Sequence, residues 1–299
     1  MVTPSYLSTG DTVGIVSTAR KLTRNELAPA LDLLTQWGLK FKLGNTIGAE
    51  KDQFAGDDGV RAADFQAMLD DPHIKAIWCA RGGYGTVRII DVLDFKKFSE
   101  NPKWIIGYSD ITVLHSHLNL RGIETIHAQM PLEIEKKSQE TVDSIKAVLF
   151  GKDNYAIGTS SHPLNRPGKG IGELVGGNLS VLYSLCGSDS ALKTNNNILF
   201  IEDLDEYLYH VDRMLQNLKR NGLFNNINGL IVGGLTDMND NTIPFGKTAE
   251  EIVLDTVAEF DFPVCFGFPA GHLIDNRALI FGREVSLDIH ESGVNLSFK

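Results

Sequence analysis

The chain has 299 residues, enough for two domains or one large one, and 42% of them are hydrophobic, which supports a sizeable core. Its 28 Lys and Arg against 38 Asp and Glu leave a formal charge of −10, and without a basic run that balance argues against nucleic-acid binding. No apolar stretch reaches the ~18–20 residues of a membrane helix. Met1–Arg20 reads as lacking a secretory leader, and Cys79, Cys186 and Cys265 read as scattered buried thiols, so a reducing cytoplasm is the expected compartment.

Thr12–Ser17 reads as a buried first strand, followed by the loop Ser17-Thr18-Ala19-Arg20. A helical period runs through Leu27, Leu31, Leu34 and Trp37, with Gly38 placed to stop it. Leu39–Leu43 is a short strand, Glu50–Gly59 a loop and Arg61–Leu69 a helix. Ala76–Ala80 is a third strand running into Arg81-Gly82-Gly83-Tyr84-Gly85. Trp104-Ile105-Ile106 is a fourth, ending in Gly107-Tyr108-Ser109-Asp110, and a helical pattern follows in Val113, Leu114, His117, Leu118 and Leu120. Strands alternating with helices predict a parallel, doubly wound sheet. The loops after its third and fourth strands then lie at one edge, where such sheets hold ligands.

Gly122–His127 gives a short strand and Val142–Phe150 a helix. Gly, Ser, Asn and Pro then dominate to Gly172, which reads as a linker. The division expected is 1–155 for the first domain, 156–171 for the linker and 172–299 for the second domain. In the second half, an apolar helix follows Gly172-Glu173-Leu174-Val175-Gly176-Gly177-Asn178-Leu179. Asn197–Ile201 is a strand leading to Glu202-Asp203, Tyr207–Leu218 an amphipathic helix, and Gly229–Val232 a strand. Glu250–Phe260 is a helix and Pro263–Phe268 a strand reaching Pro269-Ala270-Gly271-His272. Two terminal strands, Ala278–Phe281 and Glu284–Ile289, flank a turn at Gly282-Arg283.

Several chemistries find weak support. Gly246-Lys247-Thr248 ends like a phosphate-binding loop, but Asn241 stands where the first glycine belongs, and Val175 spoils G-x-G-x-x-G in Gly168–Gly177. His115 and His117 sit two apart on a helix, hence on different faces, and no cysteine pair or H-E-x-x-H accompanies them, so no metal is expected.

Ser109, Glu202 and His272 differ in kind. Each lies just past a predicted strand. A serine hydroxyl becomes a nucleophile when a base takes its proton, histidine suits that task near neutral pH, and a carboxylate orients the imidazole. A serine at a sharp strand-to-helix turn also presents its hydroxyl clear of the sheet beside a helix N-terminus. Singly, each has another explanation. Ser109 or Asp110 can cap the helix, Glu202 has neighbours in Asp203 and Asp205, and His272 can be a packed loop histidine.

Taken together, the ordered segments Ala80–Gly85, Gly107–Thr112, Leu174–Leu179, Phe200–Asp203 and Gly267–His272 resemble the LD-carboxypeptidase (muramoyltetrapeptide carboxypeptidase) family of serine peptidases. The resemblance spans nearly the whole chain. It implies an α/β protein with an N-terminal Rossmann-like parallel sheet domain and a C-terminal domain with a β-barrel-like core. It implies Ser109 as nucleophile, His272 as base and Glu202 as acid, with no cofactor, commonly in a homodimer. The backbone N–H groups of Gly83 and Asp110 are the candidate oxyanion donors. Arg81 and Tyr84 are the candidate substrate contacts, Arg81 as a charged fork for a terminal carboxylate or else as a structural loop residue. Arg20 and Arg277 are further positive charges to place. The implied substrate is a murein tetrapeptide, cut between an L-centre and terminal D-Ala during cell-wall recycling.

The family often has His-Gly-Pro where this chain has His127-Ala128-Gln129, which bears on the substrate accepted. Three other readings stand beside the first. They are a microcin C-type self-immunity peptidase acting on acyl-adenylate mimics, a non-catalytic small-molecule binding protein, and a glutamine-amidotransferase-like enzyme. The last normally carries Cys at the elbow, where this chain has Ser109.

Overall fold

The computed structural model describes residues 1–299. The strands are β1 (Thr12–Val16), β2 (Lys40–Leu43), β3 (Ile74–Cys79), β4 (Trp104–Gly107), β5 (Thr125–His127), β6 (Ala156–Thr159), β7 (Gly168–Asn178), β8 (Ile198–Leu204), β9 (Gly229–Thr236), β10 (Val264–Cys265), β11 (Leu279–Phe281), β12 (Glu284–His290) and β13 (Gly293–Phe298). The helices are α1 (Ala28–Gln36), α2 (Asp58–Asp70), α3 (Lys96–Glu100), α4 (Thr112–Asn119), α5 (Gln139–Leu149), α6 (Leu179–Leu185), α7 (Leu208–Arg220) and α8 (Ala249–Thr256).

Strand order in the first sheet is β11-β5-β4-β3-β1-β2, parallel from β5 to β2. Val13, Ile15, Trp78, Ile105 and Ile106 are fully buried there, as expected of strands covered on both faces. Gly38 stops α1 with φ of +75°, a conformation an L side chain resists. The Rossmann-like expectation holds, with one addition. The antiparallel edge strand β11 comes from near the C-terminus and pairs Leu279 with His127 and Phe281 with Thr125.

Strand order in the second sheet is β10-β9-β8-β7-β12-β13-β6. It is parallel from β10 to β7 and antiparallel beyond. Arg166, just ahead of β7, exchanges both backbone hydrogen bonds with Val264 of the β10 edge, at 2.8 and 3.1 Å. That bridge joins the β10 edge to the chain entering β7, in keeping with the barrel-like core that the family resemblance implies.

Two sequence-based assignments differ from what is found. The stretch 156–171 contains β6 and the start of β7, whose glycines permit close backbone packing that resembled linker composition. A Cβ at Gly172 would stand 3.0 Å from Asn197 Cα, for example. The two strands flanking Gly282-Arg283 are found where expected, and they lie in different sheets, β11 in the first and β12 in the second. Gly293–Phe298 is a further strand, not among those expected, alternating buried Val294, Leu296 and Phe298 with more exposed residues at a period of two.

A single apolar core joins the halves. It includes Trp78 and Ile106 from the first sheet, Phe200 and Leu287 from the second, and Phe281 between them. The carboxyl ends of β4 and β8 therefore sit against one continuous packed interior.

Candidate active site

β4 ends at Gly107, and Ser109 follows in the left-handed region with φ of +61°. A non-glycine residue there stores on the order of 1–3 kcal/mol of strain, and such strain collects at functional sites. The turn is tight because Ile111 folds back over it. A Cβ at Gly107 would lie 2.7 Å from Ile111 Cγ1. Behind the turn, the buried His115 donates from Nε2 to the Gly107 carbonyl (2.9 Å), and its Nδ1 accepts from the Thr125 hydroxyl (2.8 Å). Burial pushes this imidazole down to about 4, so it stays neutral.

The Arg81–Gly85 loop lies directly over Ser109. A Cβ on Gly82 would sit 3.3 Å from Ser109 Cβ and 3.4 Å from its Oγ. A side chain there would crowd the serine. Gly83, with φ of +109°, directs its N–H to no other group of the chain. The Asp110 carboxyl is buried and accepts from the Thr86 N–H at 2.9 Å, which ties the elbow to this loop. Burial raises its pKa, with the Thr86 hydrogen bonds opposing.

Glu202 lies near the end of the buried run of β8 and is fully enclosed. Its Oε2 accepts from His272 Nδ1 at 2.6 Å and from the His272 N–H at 3.1 Å. Burial alone would lower the His272 pKa, but the Glu202 charge and hydrogen bond outweigh it and the net shift is upward. Gly271 makes this contact possible. Its φ is +100°, and a Cβ there would lie 2.6 Å from Glu202 Oε2.

Asp203 points elsewhere. It accepts from Asn178 Nδ2 (2.8 Å), the Ser180 N–H (2.8 Å) and the Leu204 N–H (2.9 Å), which fixes the start of α6. Burial and the neighbouring Glu202 push its pKa up to about 7. Asp205 instead accepts from Asn239 Nδ2 at 2.8 Å. Neither competes for the imidazole.

Ser109 and His272 line one cleft of about 470 Å³, together with Arg20, Arg81, Gly82, Gly83, Met130, Asn178, Asp205 and Glu206. Arg81 reaches it while donating from Nη1 to the Lys21 carbonyl at 2.8 Å, so both of its sequence-level readings have a basis. Tyr84 is 45% exposed, tilts against Phe54 and is not among the cleft-lining residues. Arg277 is bound to Asp275 and is likewise not among them. Arg20 lines the cleft through the loop after β1, a position that strand order alone makes plausible. Asn178 caps α6 through its Oδ1, a signal readable from its place before an apolar helix.

His127 is fully buried among Tyr108, Phe200 and Phe281, and Ala128 is buried behind it. The departure from His-Gly-Pro therefore lies in the core between the sheets.

A strained seryl turn and a buried carboxylate–imidazole pair on one cleft are the parts that serine-type acyl transfer requires. Comparison with known proteins identifies the family. Residues 13–128 match the LD-carboxypeptidase N-terminal domain and residues 171–287 the LD-carboxypeptidase C-terminal domain, and the chain belongs to that family. It is 35% identical to a probable murein peptide carboxypeptidase of Bacillus subtilis, over 96% of this chain and 92% of that one. It is 24% identical to the microcin C7 self-immunity protein of Escherichia coli, over 97% of this chain and 94% of that one. The crystal structure of a muramoyltetrapeptide carboxypeptidase from Oxalobacter formigenes shares the fold, with a TM-score of 0.88, 24% identity, and coverage of 96% of this chain and 98% of that one.

Proposed function

We propose that the protein is a serine carboxypeptidase that removes a terminal D-amino acid, D-Ala, from an L-centre of murein tetrapeptides. The observation that carries the mechanism is the Glu202–His272 pair opening onto the cleft that holds Ser109.

In this mechanism Ser109 Oγ attacks the amide carbonyl carbon, and His272 Nε2 takes the hydroxyl proton. Glu202 holds Nδ1–H, which leaves Nε2 as the acceptor, and stabilises the imidazolium. The developing oxyanion takes hydrogen bonds from the Gly83 and Asp110 N–H groups. Each such donor is typically worth about 3–4 kcal/mol in the transition state. The imidazolium then protonates the leaving amine, the C–N bond breaks, and D-Ala departs. A water deprotonated by His272 hydrolyses the acyl-enzyme, and the proton returns to Ser109. The chemistry needs no cofactor.

Charge on the cleft walls suits the substrate. Arg20 and Arg81 can receive the terminal carboxylate, and Asp205 and Glu206 line the same cleft with negative charge that suits the free amine of a diamino acid. Closer similarity to the Bacillus subtilis relative (35%) than to the microcin self-immunity relative (24%) favours the murein reading. Cytoplasmic recycling and a homodimer belong to this reading through the family resemblance.

The test is release of free D-Ala from a murein tetrapeptide by purified protein, with Ser109→Ala as control. Release that the mutant loses supports both reaction and nucleophile. Absence of release, with hydrolysis of an acyl-adenylate analogue instead, would replace the substrate assignment.

A further inference from the structure

Glu202 fixes His272 to β8, but nothing in that contact fixes β8 relative to β4, which carries Ser109. The loop bearing His272 supplies the missing link. It leaves the second sheet at β10 and enters the first at β11, and its outer side lies on the N-terminus of α5. α5 belongs to the half that carries the serine.

The Thr141 hydroxyl makes two bonds to this loop. It accepts from the Asn276 N–H at 2.7 Å and donates to the Ile274 carbonyl at 3.2 Å. The fully buried Asn276 accepts at Oδ1 from the Gly271 N–H at 2.8 Å, one residue before His272. One residue after His272, the Leu273 carbonyl accepts from Lys137 Nζ at 2.7 Å. The Ser138 N–H donates to Ile274 O at 3.1 Å. Capping of α5 does not explain Thr141, because the cap is the Ser138 hydroxyl accepting from the Thr141 N–H. The Thr141 hydroxyl, 3.1 Å from the Ser138 hydroxyl, makes its other two contacts with the loop.

We propose that Thr141 and Asn276, with Lys137 beside them, are positioning residues that hold His272 in register with Ser109 across the two halves. The proposal rests on the triad reading above. Proton transfer needs the base within hydrogen-bond reach, and a displacement of about 1 Å can cost on the order of 10²-fold in rate. Thr141→Val keeps the side chain's shape but leaves the Asn276 N–H unpaired and the Ile274 carbonyl with the Ser138 N–H alone. Thr141→Ser keeps the hydroxyl.

The experiment is the rate at which a fluorophosphonate labels Ser109 in the full-length protein, with thermal melts confirming that each variant is folded. It needs no assumption about the peptide substrate. Thr141→Val is expected to label about 10–100-fold more slowly than wild type, with Thr141→Ser restoring most of the rate. If Thr141→Val fails to fold, Lys137→Met, at a partly exposed site, provides the same readout. Loss of labelling in His272→Ala together with wild-type labelling in folded Thr141→Val, or in Lys137→Met if it stands in, would overturn the positioning role and leave the triad standing. Wild-type labelling in His272→Ala would overturn the triad itself.

Discussion

Glu202 Oε2 accepts two hydrogen bonds from one residue, His272, at Nδ1 (2.6 Å) and at the backbone N–H (3.1 Å). The double contact fixes the ring's tautomer and its place on the loop at once. It also explains why a glycine precedes the histidine, since a side chain at 271 would occupy the carboxylate's position.

Removing either end of the proton path should be severe. Ser109→Ala and His272→Ala are expected to lower kcat on the order of 10⁴–10⁶-fold while leaving the melting temperature within a few degrees. Glu202→Gln should cost less, because the acid orients the base and takes part in no bond change. Steady-state D-Ala release reads all three. Near-wild-type turnover in Ser109→Ala would sink the mechanism.

The acidic limb of activity follows from the same pair. Glu202 raises the His272 pKa, and the base works only when neutral. kcat/KM should therefore rise with pH through a midpoint above the ordinary histidine value. Glu202→Gln removes the charge that favours imidazolium, so the midpoint should move to lower pH even as the maximum falls. A limb that stays in place in Glu202→Gln would assign it to another group.

Gly271→Ala tests the close approach. It combines φ of +100° with a Cβ 2.6 Å from Glu202 Oε2. Both the loop and the carboxylate must move, so kcat should fall by more than about 10²-fold with a lower melting temperature. Unchanged kcat would mean that the loop tolerates the shift.

His115 links the elbow to acid stability. Burial pushes its pKa down to about 4 from an ordinary 6.5. Between those values the unfolded chain binds a proton that the folded chain does not, so stability falls as pH falls from 6.5 towards 4. The difference is on the order of 3 kcal/mol. The buried His127, shifted well below its ordinary value by burial and by His115, acts in the same direction. Urea midpoints between pH 7 and 4.5 should show this slope, reduced in His115→Gln. An identical slope in that variant would exclude His115 as a source.

The parallel first sheet was legible because its strands are short apolar runs bounded by glycine turns and separated by helical periods. The elbow was legible for a local reason, since Gly107, Ser109 and the following helix are contiguous. The sequence offers His115 only as a candidate metal ligand, because the Gly107 carbonyl and Thr125 hydroxyl that occupy it lie on two strands. Tyr84 is a candidate substrate contact in the sequence, but the positive φ of Gly83 and Gly85 lets that loop turn, and the tyrosine packs against Phe54.

By itself the sequence determined what local chemistry can express: the helical periods, the glycine stops and the residue types at each strand end. Tertiary structure decided the rest. Choice of Glu202 over Asp203 depends on strand alternation, which sends adjacent carboxylates to different partners. The edge strand β11 belongs to the first sheet although it comes from the second half, a pairing between residues about 150 positions apart. No local pattern encodes such a contact, because backbone pairing and shared burial are made only when the distant segments meet.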